Sequence, residues 1–201
     1  DSQLTSLLKY RYLFSMINRS STRKINYFRS IKSKIMVKVG LLSDTHGFWD
    51  DKYALYFNEC DEIWHAGDIG SAELAERLAA LRPLRAVYGN IDGQPIRLQY
   101  GKVAQFKVEE VEVVMTHIGG YPGRYNPEIR PLLYAVRPQL FIAGHSHILK
   151  AQFDRSLHCL HLNPGAAGIS GFHQVRTLMR FVIEGKEIKD LEVIELGNRH
   201  C

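Results

Sequence analysis

Apolar positions along this chain fall into short runs that end abruptly in polar residues. After Met36 the run VKVGLLSD (37–44) is nearly continuous, as expected of a strand buried on both faces. Residues 50–58 predict a short helix, and EIWHAGD (62–68) a second buried strand. SAELAERLAAL (71–81) predicts an amphipathic helix: Ser71 is placed to cap it, Leu74, Leu78 and Leu81 share one face, and Pro83 stops it. LRAVYGN (84–90) predicts a third strand. This alternation implies an α/β chain with a parallel or mixed sheet and helices outside.

Beyond residue 100 the pattern becomes strand-rich. VAQFKV, VEVVMTH, QLFIAGH, LKAQFD, LHCLHLN, TLMRFVIEG and DLEVIEL each read as strands, with a single helix expected over 127–135. There is no internal repeat and no low-complexity linker. Two sheets packed face to face, with helices outside, would use that many strands within one domain.

Charge alters the picture only at the front. The chain has 201 residues and a net charge of +5. Residues 1–35 hold eight Lys/Arg against Asp1 alone, a balance of +7; the rest holds 18 Lys/Arg against 20 Asp/Glu, a balance of −2. The body is therefore mildly acidic, which argues against a long nucleic-acid substrate. Residues 1–35 are expected to be a basic N-terminal extension outside the fold, with Met36 directly before the first strand. An organellar transit peptide or a basic tail are the alternatives, and a secretory signal is not expected. The domain is expected over 36–201. No apolar run reaches the roughly 18 residues a membrane helix needs. Cys60, Cys159 and Cys201 form no CxxC pair, which points to a reducing, cytoplasmic setting.

The candidate chemistry lies where the strands end. SDTHG supplies Asp44 and His46, AGDIG supplies Asp68, YGNID supplies Asn90 and Asp92, MTHIGG supplies His117, and AGHSH supplies His145 and His147. Each residue singly has an ordinary explanation. Asp44 or Asp68 could be a turn or cap, Asn90 after Gly89 a turn, His117 a packed histidine, and His145 and His147 two solvent-facing side chains on one strand face. Their recurrence at equivalent strand ends changes that, because sites in open α/β sheets form beyond the carboxyl ends of the strands. Leaving Asp92 aside, these are seven O and N donors with no thiolate, which suits Mn, Fe, Zn, Ni or Co.

In this order and at these spacings DTH, GD, GN, TH and GHSH resemble the calcineurin-like metallophosphoesterases, above all the small bacterial and archaeal YfcE-type phosphodiesterases. The likeness covers residues 36 to about 198, and HLNPGAAG (161–168) adds to it. The resemblance implies a four-layer α/β/β/α sandwich of two mixed sheets. It implies two divalent ions, Mn²⁺ first among the candidates. One would be held by Asp44, His46, Asp68 and His147. The other would be held by Asp68, Asn90, His117 and His145, with Asp68 bridging. Asp44, Asp68, Asn90 and His117 are the implied catalytic set, and a small phosphodiester the implied substrate, hydrolysed by a metal-bridging hydroxide. Two divalent ions carry four positive charges; Asp44, Asp68 and hydroxide carry three negative ones. The remaining charge attracts a phosphodiester.

One position departs from the family pattern. Many members read GNH followed by an acid, with that histidine serving the leaving group or the phosphate. Ile91 stands there and can do neither. His65 and Asp92 are candidates for supporting roles behind the ligands, with a purely structural role for His65 equally open. Arg124, in the loop 117–127, could meet a phosphate or belong to a tight connection. His158, His161 and His173 are assigned no catalytic role. The competing readings are a non-catalytic scaffold, like the retromer subunit of this fold, and a phosphomonoesterase. A homo-oligomer is compatible with either.

Overall fold

The computed structural model describes residues 36–199; the basic extension 1–35 lies outside the described residues. The first sheet is built from β1 (Met36–Leu42), β2 (Glu62–His65), β3 (Leu84–Ala86), β11 (Val175–Glu184) and β12 (Glu187–Asn198), in the order β12-β11-β1-β2-β3. β1, β2 and β3 run parallel, while β11 and β12 are antiparallel neighbours, so the sheet is mixed. The second sheet takes β4 (Val103–Val108), β5 (Val111–Thr116), β8 (Leu140–Ile142), β9 (Lys150–Asp154) and β10 (Cys159–Asn163), in the order β4-β5-β8-β10-β9. Its centre, β5-β8-β10, is parallel and its edges are antiparallel. A small hairpin pairs β6 (Gly120–Tyr121) with β7 (Arg124–Tyr125). The helices are α1 (Asp51–Phe57), α2 (Ala72–Leu81), α3 (Gln94–Gln99) and α4 (Arg130–Val136).

Side-chain alternation along the strands sorts the core into three apolar layers. Val39 and Leu41 of β1 and Val111, Val113 and Met115 of β5 meet Leu140 and Ile142 of β8 between the sheets. Trp64 and Phe181 fill the same layer, their rings 5.6 Å apart and edge-on. Leu42 and Ile63 face the other way, onto Tyr53 and Phe57 of α1, Leu74 and Leu78 of α2 and Ile96 of α3. On the far side Val114 and Phe141 pack under Leu133 of α4. The result is the four-layer α/β/β/α sandwich that the resemblance implies, built from the strands the hydrophobic pattern predicts. Each fully buried Leu, Val, Ile or Phe stabilises it by about 1.5–3 kcal/mol.

The helices follow local rules. Asp50 caps α1, accepting from Lys52 N at 2.9 Å, and Ser71 caps α2, accepting from Leu74 N at 3.2 Å. Two differences from the sequence reading stand out. Helix α3 and the β6–β7 hairpin are not foreseen by the hydrophobic pattern, and the helix expected over 127–135 begins at Arg130. Both new elements are too short to carry a period of their own. Among the described residues no helix is long and apolar enough to cross a membrane. Cys60 and Cys159 are free and buried.

Candidate metal centre

The parallel strands of both sheets end at one edge of the sandwich, and their polar termini meet there. Asp44 and His46 follow β1, and Asp68 follows β2. Asn90 follows β3, His117 follows β5, and His145 and His147 follow β8. The loops are tied together by backbone. Asp44 N donates to Gly67 O at 3.0 Å, His46 N to Asp68 O at 3.0 Å, and Gly144 N to His117 O at 3.0 Å. His145 N donates to Asp44 Oδ2 at 3.2 Å, joining the two sheets.

Close packing of these loops demands glycine, most directly at Gly144 and Gly89. A Cβ on Gly144 would sit 2.1 Å from Ser43 Oγ and 2.8 Å from Ala66 O; one on Gly89 would sit 2.0 Å from Asp68 Oδ1. Neither gap admits a methyl group.

Two groups of donors result. Donor atoms of Asp44, His46 and His147 lie within 4.8 Å of one another, and so do those of Asp68, His117 and His145. Asp68 also reaches across: its Oδ2 is 3.6 Å from His46 Nε2 and 3.3 Å from His117 Nε2. Asp44 Oδ1 stands 3.1 Å from His147 Nε2 and 3.9 Å from His117 Nε2. Asn90 is exposed on the rim of a cavity it shares with His117. Asp44, Asp68 and His117 are at most 2% exposed.

A test of whether these residues fit cations lies in their unmet valences. Asp44 Oδ1, His46 Nε2 and His117 Nε2 are buried without a hydrogen-bond partner. Three orphaned donor atoms facing one another cost several kcal/mol in an ordinary interior. A divalent cation in each group would satisfy all three. The donor set, oxygen and imidazole nitrogen without thiolate, suits the harder first-row ions.

Two of the imidazoles, His117 and His147, are oriented by contacts at Nδ1. His117 Nδ1 donates to Ala66 O at 2.8 Å, which leaves Nε2 as the nitrogen that faces the carboxylates. His147 is set by a residue that its sequence context did not mark. His173 Nε2 donates to Gly168 O at 3.0 Å, so its Nδ1 accepts, and His147 Nδ1 lies 3.3 Å from it. His147 thereby turns its Nε2 toward Asp44. No local pattern around GFHQ points to this contact, which spans 26 positions.

His65 and Asp92 brace the ligand loops. His65 is fully buried; its Nδ1 accepts from Gly67 N at 3.1 Å and its Nε2 pairs with Thr45 Oγ1 at 2.9 Å. Burial pushes its pKa down to about 4, against the pull of the Asp92 and Asp44 carboxylates, so it stays neutral. Asp92 accepts from the backbone N–H of Ile69, Gly70 and Gly89 at 3.2, 2.7 and 2.7 Å. Arg97 of α3 braces the same loop, donating to the carbonyls of Asp92 (2.6 Å), Gly89 (3.2 Å) and Asn90 (3.2 Å). Its role went unread because α3 did.

Charge in the centre is balanced between burial and neighbours. Burial alone would raise the Asp68 pKa, but His117, the Ile91 N–H at 3.1 Å and His46 hold it below the usual carboxylate range. Burial opposes protonation of His117, yet the Asp68 and Asp44 carboxylates pull its pKa above the ordinary value. His145 is shifted downward by burial and by His117.

Comparison with known proteins now fits this geometry. The calcineurin-like phosphoesterase superfamily domain matches residues 37–186. The chain belongs to that superfamily. A probable metallophosphoesterase of Methanothermobacter thermautotrophicus is 28% identical over 169 residues, covering 81% of this chain and 95% of that protein. Two solved structures illustrate the shared fold. One, from a structural and functional characterization of a novel archaeal phosphodiesterase, has a TM-score of 0.64 at 21% identity and covers 78% of this chain and 99% of that one. The other, Vps29 of Entamoeba histolytica complexed with Zn²⁺, has a TM-score of 0.62 at 16% identity and covers 81% and 99%.

Ile91 contributes only its backbone N–H to Asp68; its side chain is 45% exposed. Arg124 lies on the β6–β7 hairpin and lines a cavity beside His145. His158 is exposed and remote from the donor groups by its place beyond β9.

Proposed function

We propose that this phosphoesterase is a phosphodiesterase using two divalent ions, Mn²⁺ foremost, on a small phosphodiester. The observation that carries the reading is the convergence of three buried donor atoms without partners, Asp44 Oδ1, His46 Nε2 and His117 Nε2. Asp44, His46, Asp68 and His147 would hold one ion, and Asp68, Asn90, His117 and His145 the other. Such a pair supplies an activated water near neutral pH and neutralises charge building on the phosphoryl oxygens.

The chain's own residues do the positioning. Asp68 lies between His46 and His117, which suits a shared ligand. Asn90 and the histidines fill coordination sites without adding negative charge, so the centre stays attractive to a monoanionic diester. Exposed His145 and Asn90 mark the side from which substrate enters. Ile91 offers no proton to a leaving group, so diesters with good leaving groups should react best.

The test is hydrolysis of bis(4-nitrophenyl) phosphate and 4-nitrophenyl phosphate by chelator-stripped protein given Mn²⁺, Fe²⁺, Zn²⁺, Ni²⁺ or Co²⁺. Activity that returns with metal and favours the diester supports the reading. Asp68→Asn and His117→Ala should each lose at least about a hundredfold while keeping the fold. Wild-type rates from a folded Asp68→Asn protein would sink it. Two bound ions with no hydrolysis would favour a metal-binding scaffold, the reading that Ile91 leaves open. A preference for the monoester would make it a phosphomonoesterase.

A further inference from the structure

The loop after His117 builds something the metal centre does not use. Ile118 and Gly119 lead into the β6–β7 hairpin, and the segment 144–150 faces it. Between them lies a cavity of ≈ 340 Å³ that His145 borders, so it opens directly from the second donor group. That volume is near the lower end for small-molecule sites, about 300–1,000 Å³, and suits one arm of a substrate rather than a polymer.

Its lining is unusual in charge. Ile118, Ile148, Tyr121 and Tyr125 form apolar walls, Arg124 and Lys150 supply two cations, and no carboxylate lines it. Lys150 Nζ stands 4.1 Å over the Tyr121 ring, and neither cation has an ion-pair partner among the described residues. The acid behind the wall, Asp154, is already engaged: it accepts from Tyr125 Oη at 2.5 Å, Ser156 N at 2.7 Å and Ser156 Oγ at 2.6 Å. His161, 1% exposed, also borders the cavity.

We propose that this cavity receives one arm of the phosphodiester, and that the preferred arm is a flat or apolar group ending in an anionic substituent. The walls of Ile118, Ile148 and the tyrosines bury the body of the arm. Arg124 and Lys150 meet its charge. The inference rests on the phosphodiesterase reading of the centre and extends it to the substrate class.

The experiment compares two diesters that differ by one carboxylate, 4-nitrophenyl phenyl phosphate and 4-carboxyphenyl 4-nitrophenyl phosphate. Consumption is followed by phosphorus NMR with the metal-loaded protein, so that either arm can leave. The carboxylated diester should be favoured about five- to tenfold in kcat/KM, the return expected from two partly solvated charge contacts. The ratio should fall to about one in Arg124→Ala/Lys150→Ala and below one in Arg124→Glu/Lys150→Glu. Equal rates in the wild type, or a preference that survives both double variants, overturn the inference and leave the diesterase reading standing. If neither diester is consumed with any metal, the reading of the centre fails instead. Calorimetric titration of the same two compounds then decides the cavity. Tighter binding of the carboxylated compound by wild type than by Arg124→Glu/Lys150→Glu upholds it, and equal binding overturns it.

Discussion

Asp44, His46, Asp68, His145 and His147 all hold left-handed backbone, with φ between 49° and 68°. They are five of the nine non-glycine residues with positive φ among those described. Each such residue costs roughly 1 kcal/mol or more, and persists only where its surroundings demand it. The strain turns consecutive polar side chains toward one point instead of along alternate faces of a strand. Nothing in DTH or GHSH as strings of letters announces it. His173 is the second residue-scale surprise. His173→Phe should weaken binding of the first ion about 10–100-fold by calorimetry, and His173→Asn, which restores an acceptor for His147 Nδ1–H, should recover part of the loss. His161 makes a separate prediction through pH. Burial holds its pKa down to about 4, while in the unfolded chain it titrates near 6.5. The unfolded state therefore takes up the proton first, so stability is whole above about pH 6.5 and is lost as pH falls toward 4. His161→Phe keeps the ring against Phe141, 5.2 Å away, without the titration. Between pH 6.5 and 4.5 its urea stability should fall about 2–3 kcal/mol less than wild type's.

Among the elements, the strands of the core were legible and the short pieces between them were not. The strands show because burial on one or both faces writes itself into periodicity, and their ends show because glycine and polar residues follow. α3 spans six residues, follows Gly93 at its N-cap with Pro95 in its first turn, and buries only Ile96. Gly-x-Pro was the available signal, and it is weak. Yet α3 carries Arg97, and the loop before it carries Asp92, whose carboxylate sews the Gly67–Gly70 turn to the Gly89–Asp92 turn. Asp92→Ala leaves three backbone N–H groups short of an acceptor. Chemical denaturation should show a loss of about 3 kcal/mol, and the ion beside Asp68 should bind more weakly. Asp92→Asn, which keeps one oxygen, should lose less of both.

At the scale of the whole molecule, the proposed ligands come from both sheets. Asp44, His46, Asp68 and Asn90 stand on the first, His117, His145 and His147 on the second. Ions held between them would act as staples across the inter-sheet core. Free metal at a hundred times its dissociation constant should add about 2.7 kcal/mol per ion to stability. The unfolding midpoint of metal-loaded protein should therefore drop by several degrees on adding chelator, and Asp68→Asn should show a much smaller drop. An unchanged midpoint in wild type would mean the groups hold no ion tightly. The sequence by itself determined the strands, their buried faces, the α/β sandwich and the seven donors at the strand ends, because periodicity and turn chemistry are local and repeat along the chain. Only the tertiary structure decided which donors share a point, that Asp68 lies between the two groups, that His173 sets His147, and that Arg124 and Lys150 line one cavity. Those are contacts between distant segments, such as His145 N on Asp44 across 101 positions. No local period encodes them; they arise when two twisted sheets pack and bring their strand ends to a common edge.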